Sequence, residues 1–313
     1  MEFFKKVPTL HFMRPRRRWY TVSATLVLAT VVSLVWRGLH LSIDFTGGVE
    51  VEVGFSQPAN LDAVRQTLIA HGFADPQVQI VDTVRDVLVR LPPQGETVTG
   101  AEVGNRIKAA LSAIDPAVQL RRADSVGSQV GRELANNGAL ALLFTFLLIG
   151  LYVSVRFHTY RLGVGATVAA MHNPIVVVGF FSVTGLTFDL PALAAVLAVI
   201  GHSLNDTVVV FDRIRENFEK SRRATPMDLI DAAINQTLSR TVITSGATFV
   251  VVLMLFLFGG EALRGFSVAL LVGIVVVTYS SIYVASALAL DLGLTGNDLF
   301  PVRKSADELD RMP

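Results

Sequence analysis

The 313-residue chain contains no cysteine, which removes disulfides and thiolate chemistry from consideration. It is also poor in charge. Asp, Glu, Lys and Arg make up 17% of its residues, against about 25% in a soluble globular domain. The net charge is only +1, so the basic surplus that would hold nucleic acid is missing. No Gly-x4-Gly-Lys-Ser/Thr loop is present to cradle phosphates, which argues against an ATP-driven transporter. The six histidines are scattered, with no His/Asp/Glu cluster at ligand spacing, so neither a metal nor another cofactor is expected.

Apolar sequence is abundant instead: 51% of the residues are hydrophobic and the mean hydropathy is +0.52, the balance of a membrane protein. A basic N-terminal segment, residues 1–18, precedes an apolar stretch from Trp19 to Trp36. That stretch is too long for a signal-peptide core, and no small-x-small cleavage site follows Arg37. Residues 19–38 are therefore read as a retained first span. Five further runs, Ala139–Phe157, Leu162–Gly185, Leu190–Val210, Thr241–Gly259 and Leu263–Leu290, approach or exceed the ~20 residues that cross about 30 Å of hydrocarbon.

Lys and Arg set the orientation. They gather in the N-terminal segment (Lys5, Lys6, Arg14, Arg16, Arg17, Arg18), beside the 157–162 turn (Arg156, Arg161), in the 211–240 loop (Arg213, Arg215, Lys220, Arg222, Arg223, Arg240) and in the 291–313 tail (Arg303, Lys304, Arg311). The connection at 185–190 has none, and the one at 259–263 is followed only by Arg264. Both termini are thus expected to be cytoplasmic, with residues 39–137 outside and residues 138–290 forming spans 2–6.

Within 39–137, Leu41–Phe55 alternates around Gly47-Gly48 and reads as strand, bend and strand. Asn60 starts a helix that ends before Gly72. Val78–Val81 and Val84–Leu91 read as a strand pair about an Asp82-Thr83 turn. Thr99–Ile114 is a second helix with a capping box at Thr99 and Glu102, and Val118–Ala123 a last strand. The order β-α-β-β-α-β predicts a ferredoxin-like α+β domain. Ser125–Asn137 reads as a helix leading into span 2, and 211–240 as a loop carrying an amphipathic helix capped by Thr225 with Pro226 in its first turn.

The fourth span carries the chemistry. At about 100° per residue, His202, Asn205, Asp206 and Val209 share one face, continued by Asp212, Arg213 and Glu216. An ionisable residue inside a membrane helix is costly and by default marks a pathway, relay or partner site. Asp206 is therefore either a group that loads and releases protons or a structural hydrogen-bond partner for a neighbouring helix. Thr241, Thr244, Ser245 and Thr248 form a stripe on span 5 behind Arg240; such hydroxyls face a partner or simply glue helices together. His172-Asn173-Pro174 in span 3 either holds water at a broken helical bond or is a plain kink. The Gly201–Asn205 run looks superficially like Gly-x-Ser-x-Gly, but its fifth residue is Asn and its context is mid-helix, so no enzyme activity is expected.

Ile43-Asp44-Phe45-Thr46-Gly47-Gly48, Gly201–Asn217 (including Asp212 and Arg213), Ser239–Gly246, Phe258-Gly259-Gly260 and Ser280–Leu290 together resemble, in kind and order, the SecF members of the SecD/SecF family of the RND superfamily. The resemblance implies a polytopic α-helical protein of the bacterial inner membrane. Its six helices would form an RND-type half-bundle, with one periplasmic ferredoxin-like domain between helices 1 and 2. It implies SecD as heterodimer partner, completing a pseudo-symmetric twelve-span unit. Sec translocon channel subunits, accessory membrane-insertion factors, the translocating unfolded polypeptide and the lipid bilayer would be further partners. The proton-motive force would be the energy source. Asp206 falls on the family's span-4 acid and Arg240 on the Arg of its Ser/His-Arg-Thr motif. Asn205 stands where SecD places its acid, and Asn173 where some relatives have one after the span-3 histidine. Two other readings remain: half of an RND-type exporter of small molecules or lipids, and a non-conducting scaffold for SecD.

Overall fold

Backbone polar groups in hydrocarbon must be satisfied within their own segment, so apolar runs of this length fold as helices. The computed structural model describes residues 8–81, 83–93, 99–221 and 223–300. Lys5, Lys6, Asp82, Arg222, Arg303, Lys304 and Arg311 lie outside them. Two units result: residues 41–140, and residues 1–40 together with 141–313.

The chain enters through α1 (Arg16–Arg37). A single helical turn, α2 (Ile43–Thr46), follows where a strand is expected. Ser42 is the reason: its hydroxyl accepts the Asp44 N–H at 3.2 Å, a local bond that competes with sheet pairing. Strand β1 (Gly48–Gly54) starts only after the glycine pair and buries Val49, Val51 and Val53. Helix α3 (Leu61–Ala70) is capped by Asn60, whose side chain accepts the Asp62 and Ala63 N–H groups. Strands β2 (Gln77–Ile80) and β3 (Asp86–Leu91) are joined by a wider connection than the two-residue turn expected. In α4 (Gly100–Leu111) the Thr99 hydroxyl accepts the Glu102 N–H at 3.3 Å, and β4 (Gln119–Val126) closes the unit. The sheet order is β2-β3-β1-β4, antiparallel throughout, which is the ferredoxin-like arrangement. Its core is apolar and closely filled, with Val51, Leu68, Val87, Val89, Ile107 and Leu111 all fully buried.

Asp115 ties the loop after α4 to the end of β1. One carboxylate oxygen accepts both the N–H and the hydroxyl of Ser56 (2.7 Å each), and the other accepts the Ala117 N–H at 2.9 Å. The Ser56 bonds, with that from Ala117, hold its carboxyl below the usual carboxylate range. A carboxyl lowered on folding stabilises the fold above its unfolded value of about 3.9 and stops doing so as pH falls through the lowered value. Asp115→Asn should therefore lower the resistance of residues 41–140 to thermal unfolding at pH 7. The gap to the parent should close in strong acid, as followed by hydrogen exchange across a pH series.

The remaining helices are α5 (Ser128–Phe157), α6 (Tyr160–Thr184), α7 (Leu190–Lys220), α8 (Pro226–Phe258) and α9 (Arg264–Ser280). A π-helical turn, Ser281–Ala285, leads from α9 into α10 (Ser286–Asp291), and the short α11 (Gly296–Leu299) follows. Counting α9 to α10 as one span, six helices are long and apolar enough to cross a membrane among the described residues. Residues 211–240 are not a loop with a separate helix. The helix of span 4 continues to Lys220, and that of span 5 already starts at Pro226, behind Thr225 as its cap. At 1.5 Å per residue these two helices measure about 46 and 50 Å, well beyond ~30 Å of hydrocarbon. Helix α7 packs on α6, α8 and α9. Close approach depends on small residues: a side chain on Gly165 would lie 2.7 Å from the Ala285 carbonyl oxygen, and one on Gly273 would overlap Val199.

Candidate functional site

Asp206 lies on α7, 3% exposed, its carboxylate turned towards α8. His202, one turn earlier, brings Nε2 to 3.9 Å from Asp206 Oδ2, too long for a direct hydrogen bond. Both of these atoms are buried without a hydrogen-bond partner among the described residues. Ser245 of α8 is a hydrogen-bond partner of the Asp206 carboxylate, and Arg240 contributes the nearby positive charge. Ser245 also accepts a hydrogen bond from Thr278 of α9 at 3.1 Å. Three helices thus converge on one carboxylate.

The other flank of this cluster is open. Asn205 and Gly201 on α7, and Arg240 and Gly246 on α8, are exposed, and no atom lies within 4 Å of where a side chain on either glycine would sit. A polar, small-residue surface at this depth of an apolar helix pair would be costly facing lipid.

The other sequence candidates divide sharply. On the span-5 stripe only Ser245 reaches across to another helix among the bonds seen. Thr244 and Thr248 donate back to the Arg240 and Thr244 carbonyls at 2.9 Å, and Thr241 is buried along α8. Asn173 is fully buried and donates to the Ser203 hydroxyl of α7 at 2.8 Å. Ser203, the hydroxyl of the Gly-x-Ser-x-Gly look-alike, thus serves as an acceptor between α6 and α7 and sits within an unbroken helix. His172 lies beside Asn173, with Nδ1 at 3.5 Å from its side-chain oxygen. Asp212 pairs with Arg156 of α5 at 2.9 Å rather than with its own neighbours, whereas Arg213 pairs with Glu216 at 2.7 Å. Both pairs are partly exposed, where such contacts contribute little.

The Asp44-Phe45-Thr46-Gly47-Gly48 segment is remote from this chemistry in kind. Ser42 donates to Asp44 at 2.9 Å, Phe45 is buried, and Thr46 donates back to the Ser42 carbonyl at 3.2 Å. Gly47 and Gly48 have φ of +71° and +125° and steer the chain from α2 into β1. Thr278 has almost no sequence signal: it is one hydroxyl beside Tyr279 in an apolar run, and only the structure brings it to the site.

Fold and cluster together define a six-span membrane protein with a ferredoxin-like domain inserted after its first helix and a polar site left open on one side. The C-terminal family model described as "Protein export membrane protein SecD/SecF, C-terminal" matches residues 106–295, and the "SecD/SecF GG Motif" model matches residues 32–59. The chain is 47% identical to the protein translocase subunit SecF of Vibrio alginolyticus, over 100% of this chain and 99% of that protein. It is 43% identical to SecF of Haemophilus influenzae, over 96% and 92% of the two chains. The crystal structure of SecDF, a translocon-associated membrane protein from Thermus thermophilus, superposes with a TM-score of 0.82 at 36% identity. That match covers 91% of this chain but only 39% of SecDF, so the chain spans about two fifths of that longer protein. The chain belongs to the SecD/SecF family of protein-export membrane proteins, among its SecF members, and is a multi-pass protein of the inner membrane.

Proposed function

We propose that the chain works as one half of a SecD–SecF pair that draws on the proton-motive force to assist protein export through the Sec translocon. The observation that carries this reading is the buried Asp206 carboxylate beside an open polar flank. Such a flank calls for a second membrane protein, and the related SecDF chain is long enough to contain one. In this reading Asp206 takes up and releases the proton, Arg240 answers its change of charge, and His202 and Asn205 line the route towards a partner acid on SecD. Ser245 and Thr278 orient the carboxylate. One charge moving down about 100 mV yields roughly 2.3 kcal/mol, enough to bias a two-state helix arrangement. The basic ends named above favour cytoplasmic termini and a periplasmic location for residues 39–137, whose movement would there act on the translocating polypeptide.

Gentle solubilisation of membranes containing the tagged chain is the direct test of the partnership. SecD and translocon channel subunits should co-purify in defined ratio. Their absence from otherwise intact preparations would return the chain to the exporter reading, against which one small domain and six spans already weigh.

A further inference from the structure

A second polar constellation lies on α8, clear of the Asp206 cluster. Asp231 Oδ1 accepts the N–H groups of two consecutive residues, Phe12 at 2.9 Å and Met13 at 2.8 Å. One turn further, Asn235 grips Leu10 from both sides: its Oδ1 accepts the Leu10 N–H at 3.0 Å and its Nδ2 donates to the Leu10 carbonyl at 2.8 Å. The same Nδ2 donates to the Asp231 carbonyl at 2.8 Å, which holds the amide in place. Both side chains are buried, an expensive position for polar groups that these bonds offset. Residues 10–13 belong to no helix or strand, so their main-chain groups depend on such partners.

Side-chain packing completes the seat. Met13 is fully buried and Phe12 nearly so, with its ring 5.8 Å from that of Tyr283 in the π-helical turn. The Leu10 side chain points away and is exposed. An acid and an amide one helical turn apart read the main chain here, with two apolar side chains taken inside, and two consecutive N–H groups converge on one oxygen because the chain bends at Phe12 and Met13. Immediately after Met13 the chain becomes α1, whose Arg16 and Tyr20 both donate to Asp291 at the end of α10, at 2.8 Å each. Helix α1 packs on α6 and the π-helical turn, while α8 packs on α7 and α9. The seated segment therefore links α8 directly to the start of α1.

We propose that Asp231 and Asn235 form a binding site for a short, bent peptide segment, that residues 10–13 are its resident ligand, and that the seated segment is a clasp holding α8 in register with α1. Arg240 follows Asn235 by five residues, about 7.5 Å along the same helix. The clasp thus sets the position of that charge without touching it. Its effect on export rests on the proton-coupled reading above; the binding site does not.

The cysteine-free chain allows a direct test in membranes, in complex with SecD. Leu10→Cys and Gln236→Cys are both exposed positions and accept a pair of nitroxide labels. The parent should give one narrow label-to-label distance. Asn235→Leu, and independently Phe12→Ser, which leaves α8 untouched, should broaden it, and proton-driven export should fall about fivefold or more, the lower end of ordinary coupling energies. A broad distance in the parent, or a narrow one retained in both variants, overturns the binding site. Release of the segment with export unchanged overturns the clasp. Export that ignores the proton gradient in the parent itself would count against the proton-coupled reading alone, since the label distances still decide the site.

Discussion

Asp206→Asn is expected to remove the proton-dependent part of export while leaving the chain folded, inserted and bound to its partner. The substitution keeps size and shape, and an amide can still bond to Ser245, so packing around the site should change by well under ~1.5 kcal/mol. The cationic neighbour, Arg240, is exposed, so the substitution strands no buried cation, which is the strongly destabilising case. What disappears is the ability to carry a proton. If one proton crossing about 100 mV supplies ~2.3 kcal/mol per event, its loss corresponds to about 50-fold in the populations it biases. Export of a reporter protein into sealed vesicles, with and without an imposed gradient, reads this directly. Arg240→Ala should act in the same direction. Arg240 is exposed on α8, so its removal opens no cavity in the helix packing. Should both variants, at normal levels in complex with SecD, keep full gradient dependence, the chain is a scaffold and Asp206 a packing residue.

Substituting the glycine pair should do the opposite: destroy the fold of residues 41–140 and leave the membrane site chemically intact. A side chain on Gly48 would overlap the carbonyl oxygen of Leu91, on the strand that pairs with β1, at a φ of +125°. One on Gly47 would stand 2.6 Å from Ser128 Cα at the start of α5, at a φ of +71°. In both places the obstacle is backbone, which cannot rotate aside. Gly131, on the same helix, faces back towards the pair, with a side chain there only 2.8 Å from the Gly47 nitrogen. Gly47→Ala or Gly48→Ala should each cost about 4–5 kcal/mol, as exceptional backbone clashes do. That is a large share of the ~5–15 kcal/mol that holds a domain together. Gly72→Ala is the control: its φ is also positive, but nothing lies within 4 Å, so only ~1–2 kcal/mol of strain is expected. Limited proteolysis of the inserted chain should rank the variants in that order.

Features with a local cause are legible in the amino-acid order itself. Asn60, Thr99, Thr225 and Pro226 mark helix starts because capping depends on two or three neighbouring residues, and all four stand where their chemistry places them. The alternation of β1 is equally local, but it runs back through Ser42-Ile43-Asp44, where a side-chain cap outcompetes the pattern. The polar composition of 211–240 marks where α7 and α8 leave hydrocarbon, not where they end, and hydropathy alone cannot tell the two apart. For the site, an acid in an apolar run singles out Asp206. That Ser245 rather than Thr244 faces it, and that Thr278 completes the set, depends on the mutual register of α7, α8 and α9. The seat of residues 10–13 has no sequence signature at all, because a site that reads main chain imposes little on the side chains it reads.

The length of the α7–α8 pair has a mechanical meaning. From Asp206 to Lys220, α7 extends about 21 Å as a single rod, and α8 returns beside it without a break. Pivoting at the carboxylate, such a pair is a lever whose free end lies about 21 Å away. A tilt of about 5° at the pivot, too small to disturb helix packing, displaces the tip by about 2 Å, as large as the helix shifts that switch subunit interfaces. Protonation at the buried end should accordingly be visible as motion at the free end, to a reporter that never enters the bilayer.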